Sequence, residues 1–140
     1  VREILKAIHE NADIAVVSAA NGEAIAAEWE YNQLLPFVDL CMGQEDGSKA
    51  SCLRQLLSLG YDAKHVIMVG DAPGAYQAAP GNGVSFYPIR VDEEKESWKE
   101  FGDLVFGLFV RGGYTERKEM TYVEQFRRKL AEDKRRISPC

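Results

Sequence analysis

Three side chains of types that handle phosphoryl groups stand at corresponding points along this sequence. Ser18 directly follows the apolar run 14–17, Asp71 directly follows the run 65–70, and Lys49 stands at the start of a predicted helix. A hydroxyl can donate to a phosphoryl oxygen, an ammonium can neutralise its charge, and a carboxylate can hold Mg²⁺, which prefers oxygen ligands. The three residue types together therefore suit phosphoryl chemistry.

Each of the three residues also has an ordinary structural interpretation. Ser18 and Asp71 are typical helix N-caps, and Lys49 is a typical solvated lysine of a first helical turn. Taken singly, these interpretations are the commoner ones. Two of the residues follow buried strands, and ligands bind at the carboxyl ends of the strands in open α/β sheets. That order favours the joint interpretation.

The segment 65–89 predicts a strand, a short helix and a second strand. The strand 65–69 ends at Gly70, Pro73 and Gly74 suit a turn into a helix over 76–79, and residues 84–87 form the next strand. Elsewhere, apolar spacing predicts helices over 1–10, 23–34, 49–59, 98–108 and 116–135, and strands over 14–17 and 37–42. Alternating helices and short apolar strands predict an α/β fold with a mostly parallel sheet.

Length and composition are those of one ordinary globular domain. The chain has 140 residues, of which 46% are hydrophobic and 28% charged. No apolar run approaches the roughly 18 residues of a membrane span, and no signal-peptide pattern is visible, so we expect no membrane partner. Three cysteines without metal-ligand spacing fit a reducing compartment, which makes the cytoplasm the expected location.

The charge is unevenly distributed along the chain. Residues 111–140 carry nine Lys and Arg against five Asp and Glu, although the whole chain has a formal net charge of −5. A basic end can bind nucleic acid. Mixed charges of this kind are more often the solvated face of a terminal helix, so we expect no nucleic-acid partner.

Four segments resemble motifs of the haloacid dehalogenase-like (HAD) hydrolases, in the family's order. Residues 14–22 resemble the second motif, Gly47-Ser48-Lys49 resembles the third, residues 69–75 resemble the fourth, and residues 83–88 resemble the strand that follows it. The resemblance implies a three-layer Rossmann-like fold in a single domain over residues 1–140. Residues 1–89 would match the family core, and residues 90–140 would form C-terminal helices.

The resemblance also implies roles for individual residues. Ser18, Ala19, Asn21 and Lys49 would bind the phosphoryl group, with Ser18 and Lys49 in the catalytic set, and Asp71 would hold Mg²⁺. The substrate would be a small phosphorylated metabolite, and the family's mechanism would pass through an aspartyl-phosphate.

Two departures from the family pattern limit these implications. Ala75 stands where the fourth motif often has a second acid, and no Asp-x-Asp, the first motif with its nucleophile, occurs in the sequence. We therefore interpret the chain as the C-terminal part of a longer protein and expect it to be inactive alone. The family's first strand lies mid-sheet, so we expect an incomplete sheet closed by another chain, by self-association, by rearranged strand order or by direct strand pairing.

Two alternatives remain open at this point. One is a non-catalytic phosphate-binding or protein-interaction domain that has kept the HAD fold, which Ala75 and the missing motif favour. The other is an unrelated doubly wound α/β domain in which Gly70-Asp71 is only turn chemistry.

Overall fold

The computed structural model describes residues 2–17, 22–70, 79, 82–90 and 92–137. The chain divides into two compact units, residues 1–61 and residues 62–140. The predicted helix over 76–79 lies outside the described residues except for Ala79, which is helical. The prediction from the sequence that residues 1–140 form a single domain stays a prediction.

The described residues of unit 1 form one pair of parallel strands and three helices. The strands are β1 (Ala15–Val17) and β2 (Leu40–Met42), with Ala15 opposite Leu40 and Val17 opposite Met42. The helices are α1 (Arg2–His9), α2 (Gly22–Tyr31) and α3 (Lys49–Ser58), and short 3₁₀ turns cover Leu35–Phe37 and Gln44–Asp46. The predicted strand over 37–42 is therefore confirmed only in its second half.

The core of unit 1 comes from apolar side chains at the predicted periodicities. Leu5 and Ile8 of α1 share one helical face because they are three positions apart, and both are buried on that face. The strands and α3 add four more buried side chains, Val16, Met42, Cys52 and Leu53.

Asp39 fastens the beginning of the strand pair in unit 1. Its backbone N–H donates to the carbonyl of Ile14 at 2.7 Å, and its Oδ2 accepts the Ile14 N–H at 2.7 Å. The His9 Nδ1 lies 3.4 Å from the same Oδ2 atom. The backbone of Ile14, just before β1, is thus bonded through both of its polar groups, which fixes the register of the pair.

Unit 2 contains a second parallel pair and a chain of helices. The strands are β3 (Ile67–Gly70) and β4 (Ser85–Pro88), with Ile67 opposite Ser85 and Gly70 opposite Pro88, and a 3₁₀ turn over Ala63–His65 precedes β3. The helices are α4 (Glu94–Glu100), α5 (Phe106–Val110) and α6 (Glu116–Ile137), and a π-helical turn over Phe101–Val105 joins the first two.

The core of unit 2 is aromatic and is built on β4. Phe86 meets the edge of the Phe126 ring with centroids 6.4 Å apart, and Tyr87 stacks on Phe101 at 5.2 Å. Val123 and Phe126 on α6 are 1% and 2% exposed. Packing of α6 on β4 therefore supplies most of the large buried side chains of this unit.

Met120 is the exception among the regularly spaced apolar residues of α6. Its side chain is 43% exposed, whereas Val123 and Phe126 are buried. Successive helical residues are turned by about 100°, which puts Met120 roughly a quarter turn from the middle of the face that Glu119, Val123 and Phe126 share. Spacing alone included a residue at the margin of the buried face.

The outer edge of β4 offers no free N–H group for a further strand. The Phe86 N–H donates to Glu119 Oε1 at 2.6 Å, and the Phe86 carbonyl accepts the Tyr114 hydroxyl at 2.7 Å. Pro88 has no N–H, and the Arg90 N–H donates to Ser97 Oγ at 3.1 Å. Because edge strands invite pairing unless they are blocked, β4 is built as the last strand of its sheet.

The α/β class with parallel strands is confirmed. In the part of the chain that the structure describes, the pair β1–β2 and the pair β3–β4 share no strand. All four residues of β3 are half-buried, whereas parallel strands are normally covered on both faces and paired at both edges. This topology is consistent with an incomplete sheet.

Candidate functional site

Lys49 is the first residue of α3 and is half-buried. Ser48 before it caps the helix, because its hydroxyl oxygen accepts the Ser51 N–H at 3.2 Å. The first turn of a helix leaves N–H groups unbonded and carries the positive end of the helix dipole. Lys49 places a cationic side chain on this first turn, as its position in the sequence predicted; that the turn binds an anion stays a prediction.

The loop before α3 has a glycine at positive φ and is fixed by two hydrogen bonds. Gly47 has φ +100°, and a Cβ at this position would lie 3.2 Å from Ser51 Oγ, so a side chain here would be both strained and crowded. Asp46 closes the preceding turn by accepting the Gly43 N–H through Oδ2 at 2.9 Å. Gln55 of α3 donates from Nε2 to the Asp46 carbonyl at 2.8 Å, which ties the loop to the helix.

This loop leaves the carboxyl edge of the strand pair in unit 1. Val17 and Met42 end β1 and β2 at the same edge because the strands are parallel and these residues are in register. Gly43 follows Met42 directly, and the tight 3₁₀ turn Gln44–Asp46 leaves little chain before Lys49. Ser18 is the next residue after Val17 in the sequence.

Four predicted site residues, Ser18, Ala19, Asn21 and Asp71, lie outside the described residues. For Asp71, the structure gives the strand that precedes it. Gly70 and Pro88 end β3 and β4 together, and the Ile89 N–H donates to the Gly70 carbonyl at 2.8 Å. Convergence of the predicted residues on one site, with Lys49 among them, stays a prediction.

Arg90 is a charged residue of this strand edge that the sequence analysis did not single out. It follows β4 by two residues and is only 8% exposed. Its Nε donates to Glu93 Oε1 at 3.2 Å, and its Nη2 lies 3.8 Å from Glu100 Oε2. The sequence signal that could have pointed to Arg90 is Glu93, an oppositely charged residue three positions later in the acidic segment 92–96. Two carboxylates face this guanidinium, so Arg90 fixes the turn after β4.

Tyr87 and Ser97 complete the polar interior beside Arg90. The Tyr87 hydroxyl donates to the Ser97 carbonyl at 2.7 Å. Burial, with a further contribution from the charge of Glu100, raises the pKa of Tyr87 to about 12. The phenol therefore stays protonated at neutral pH and acts as a structural hydrogen-bond donor.

The described residues contain no group of three or more His, Cys, Asp or Glu side chains that could hold a metal ion. The predicted Mg²⁺ ligand Asp71 lies outside these residues, so the magnesium prediction rests on the sequence resemblance. Among the helices described, none is long and apolar enough to span a membrane.

One comparison with known proteins bears on the fold. A crystal structure of a HAD-superfamily hydrolase from Ehrlichia chaffeensis superposes with a TM-score of 0.60 at 23% sequence identity, over 74% of this chain and 56% of that chain. The present chain thus spans little more than half the length of that structure. No family model and no curated protein matches the sequence significantly. The chain has a HAD-like fold, as the motif resemblance implied.

Proposed function

We propose that this chain is part of a Mg²⁺-dependent HAD-like phosphohydrolase that acts on a small phosphorylated metabolite. The observation that carries the proposal is the position of Lys49, at the first residue of a capped helix that begins just after the carboxyl edge of a parallel strand pair. Anionic ligands bind at such helix starts and at such sheet edges. The HAD-like fold supports the same class of reaction.

The proposed roles follow the chemistry of each side chain. The Ser18 hydroxyl and the loop of Ala19 and Asn21 hold phosphoryl oxygens by hydrogen bonds, and the Lys49 ammonium offsets the negative charge that develops on them. Asp71 supplies the carboxylate that holds the metal. Bound Mg²⁺ polarises the phosphoryl group.

The nucleophile has to come from sequence outside these 140 residues, because they contain no Asp-x-Asp. In the proposed reaction an aspartate oxygen bonds to phosphorus as the substrate alcohol leaves with a proton, and water then cleaves the aspartyl-phosphate to inorganic phosphate. The 140 residues alone are accordingly proposed to be inactive.

The nucleophile's strand is also proposed to complete the sheet. Since the outer edge of β4 is blocked at Phe86, Pro88 and Arg90, a strand added to unit 2 joins β3. That strand comes either from the same protein or, by self-association, from a second copy.

Ala75 favours a second candidate function. In a non-catalytic phosphate-binding or protein-interaction domain the fold and the anion-favouring start of α3 remain, but a second metal-binding acid and a nucleophile are dispensable. The two candidates differ in turnover. A non-catalytic domain binds phosphate without releasing it from an ester, with or without Mg²⁺.

The test is a phosphatase assay of the full-length protein with para-nitrophenyl phosphate, with and without Mg²⁺. We expect Mg²⁺-dependent turnover that Asp71→Asn abolishes and that Lys49→Ala lowers by about 10²-fold or more in kcat/KM. Lys118→Ala, which changes an exposed first-turn lysine of α6, is the matched control and leaves the rate unchanged. Turnover that is equal in all variants contradicts the proposal, and absent turnover favours the non-catalytic candidate.

A further inference from the structure

A cleft lies in unit 2, at the edge of the strand pair opposite to Gly70 and Pro88. Its volume is about 340 Å³, and its lining includes Lys64, His65, Ser85, Phe109, Val110 and Tyr114. Lys64 and His65 belong to the turn before β3, and Ser85 is the first residue of β4. Because β3 and β4 are parallel, these residues lie at the amino edge, whereas Gly70 and Pro88 end the strands at the other edge.

One wall of the cleft is polar and carries hydrogen-bond donors. Lys64 and His65 are exposed and Ser85 is half-buried. Within the described residues neither the Lys64 ammonium nor the His65 imidazole is in an ion pair or a hydrogen bond. An ammonium has three donors, and an imidazole has at least one in either protonation state.

Two carboxylates of this unit accept backbone N–H groups. Asp62 Oδ1 accepts the backbone N–H of Lys64 at 3.0 Å, and Glu119 Oε1 accepts the Phe86 N–H at 2.6 Å. Among the described residues no carboxylate forms an ion pair with the Lys64 ammonium, which is open to a ligand or to water. The cleft has cationic and hydroxyl donors on one side without a matching protein anion.

The other wall is apolar. Phe109 and Val110 end α5, and Val110 is 61% exposed. Tyr114 is buried beside them, and its hydroxyl is already donated to the Phe86 carbonyl at 2.7 Å, so this residue offers mainly its ring. An apolar group that covers this exposed aliphatic side chain and the half-buried phenyl ring beside it removes apolar surface from water, which favours binding.

We propose that this cleft binds a small aromatic carboxylate, with the carboxylate on Lys64, His65 and Ser85 and the ring on Phe109 and Val110. Its volume is at the lower end of the range for small-molecule sites, about 300–1,000 Å³, which suits a single ring with a short acidic chain. The site is separate from the proposed phosphoryl site, because it lies at the amino edge of β3 and β4.

The test is amide chemical-shift titration of the full-length protein with 3-phenylpropionate. Two half-ligands serve as probes of each wall: acetate, which lacks the ring, and 3-phenylpropanol, which lacks the charge. We expect saturable shifts at the lining residues with 3-phenylpropionate and at least about tenfold weaker binding of both half-ligands. Absence of saturable shifts at these residues, or equal binding of acetate, overturns the proposal.

Variants locate the binding on the cleft. Lys64→Ala and His65→Ala change exposed side chains, and each is expected to weaken 3-phenylpropionate about fivefold or more, because a charge-assisted hydrogen bond is lost. Lys49→Ala is the control and leaves this binding unchanged, since Lys49 belongs to the other site. Binding of 3-phenylpropionate that is lost in Lys49→Ala but kept in Lys64→Ala assigns the ligand to the phosphoryl site and overturns the proposal. A protein that binds 3-phenylpropionate at the cleft but has no phosphatase activity contradicts only the proposed function.

Discussion

Glu119 closes the edge of β4 by accepting the Phe86 N–H through its carboxylate at 2.6 Å, although the two residues are 33 positions apart in the sequence. The bond joins α6 to the outer strand of unit 2 at the point where another strand would otherwise pair. Glu119 is half-buried, and the Phe86 side chain is 1% exposed. A charged group therefore completes the hydrogen bonding of a strand that is part of the core.

The burial of Glu119 makes the stability of unit 2 depend on pH. Burial raises the pKa of the Glu119 carboxyl above its ordinary value of 4.5, although the Phe86 N–H acts in the opposite direction. The folded protein then holds this proton more tightly than the unfolded chain, so the contribution of Glu119 to stability falls as pH rises from 4.5 through the raised pKa. Glu119→Gln removes the titration and keeps an acceptor oxygen.

Urea unfolding of the two proteins across this pH range measures the effect. We expect the free energy of unfolding of Glu119→Gln to improve relative to the wild type as pH rises from 4.5 to neutral. Glu124→Gln, at an exposed position on the same helix, gives the baseline. A difference that stays constant with pH, or that turns against the variant, contradicts the role of burial.

The burial of Tyr87 predicts that the stability of the folded protein also depends on pH in the alkaline range. Its pKa is raised from 10.0 to about 12 by burial. Since the unfolded chain loses this proton first, the tyrosine lowers the stability of the folded protein as pH rises from 10 to 12. Tyr87→Phe removes that penalty and also removes the hydrogen bond to the Ser97 carbonyl.

We expect Tyr87→Phe to be less stable than the wild type at neutral pH by about 1–2 kcal/mol and to lose part of that deficit between pH 10 and 12. Denaturant unfolding at each pH measures both quantities. A deficit that grows with pH would show that the wild-type phenolate is favoured in the fold.

The packing of α6 on β4 predicts a large cost for Phe126→Ala. Phe126 is 2% exposed and meets the Phe86 ring at 6.4 Å. Its removal leaves a cavity, so we expect a loss of about 3–5 kcal/mol in the free energy of unfolding. Met120→Ala, on the same helix at a 43% exposed position, is expected to change stability by about 0.5 kcal/mol or less. Equal losses in thermal or urea unfolding would refute the assigned packing of α6.

The sequence predicted helix boundaries, which depend on residues close to one another in the chain. The helix predicted over 49–59 begins at Lys49, with Ser48 as its cap and Gly60 after its end at φ +110°. The start of α6 at Glu116 agrees with the predicted position. The helix over 116–135 was predicted from its apolar spacing, but that spacing did not show that Met120 would lie at the margin of the buried face.

Long-range relationships could not be predicted in this way. The bond between Phe86 and Glu119 and the burial of Arg90 against Glu100 depend on which elements pack together, and neither leaves a short sequence pattern. Of the candidate site, the structure tests only the predicted helix start at Lys49, which it confirms. The prediction that Ser18 and Asp71 share its site rests on motif order and on the HAD-like fold.

The most direct measurement of the central claim is a crystal structure of the full-length protein with Mg²⁺ and tungstate, an inert phosphate mimic. The account predicts one bound oxyanion with Ser18 Oγ and Lys49 Nζ each about 3 Å from its oxygens, and with the Asp71 carboxylate on the adjacent Mg²⁺. An oxyanion bound elsewhere, or Lys49 and Asp71 on separate surfaces with no ion between them, would contradict it.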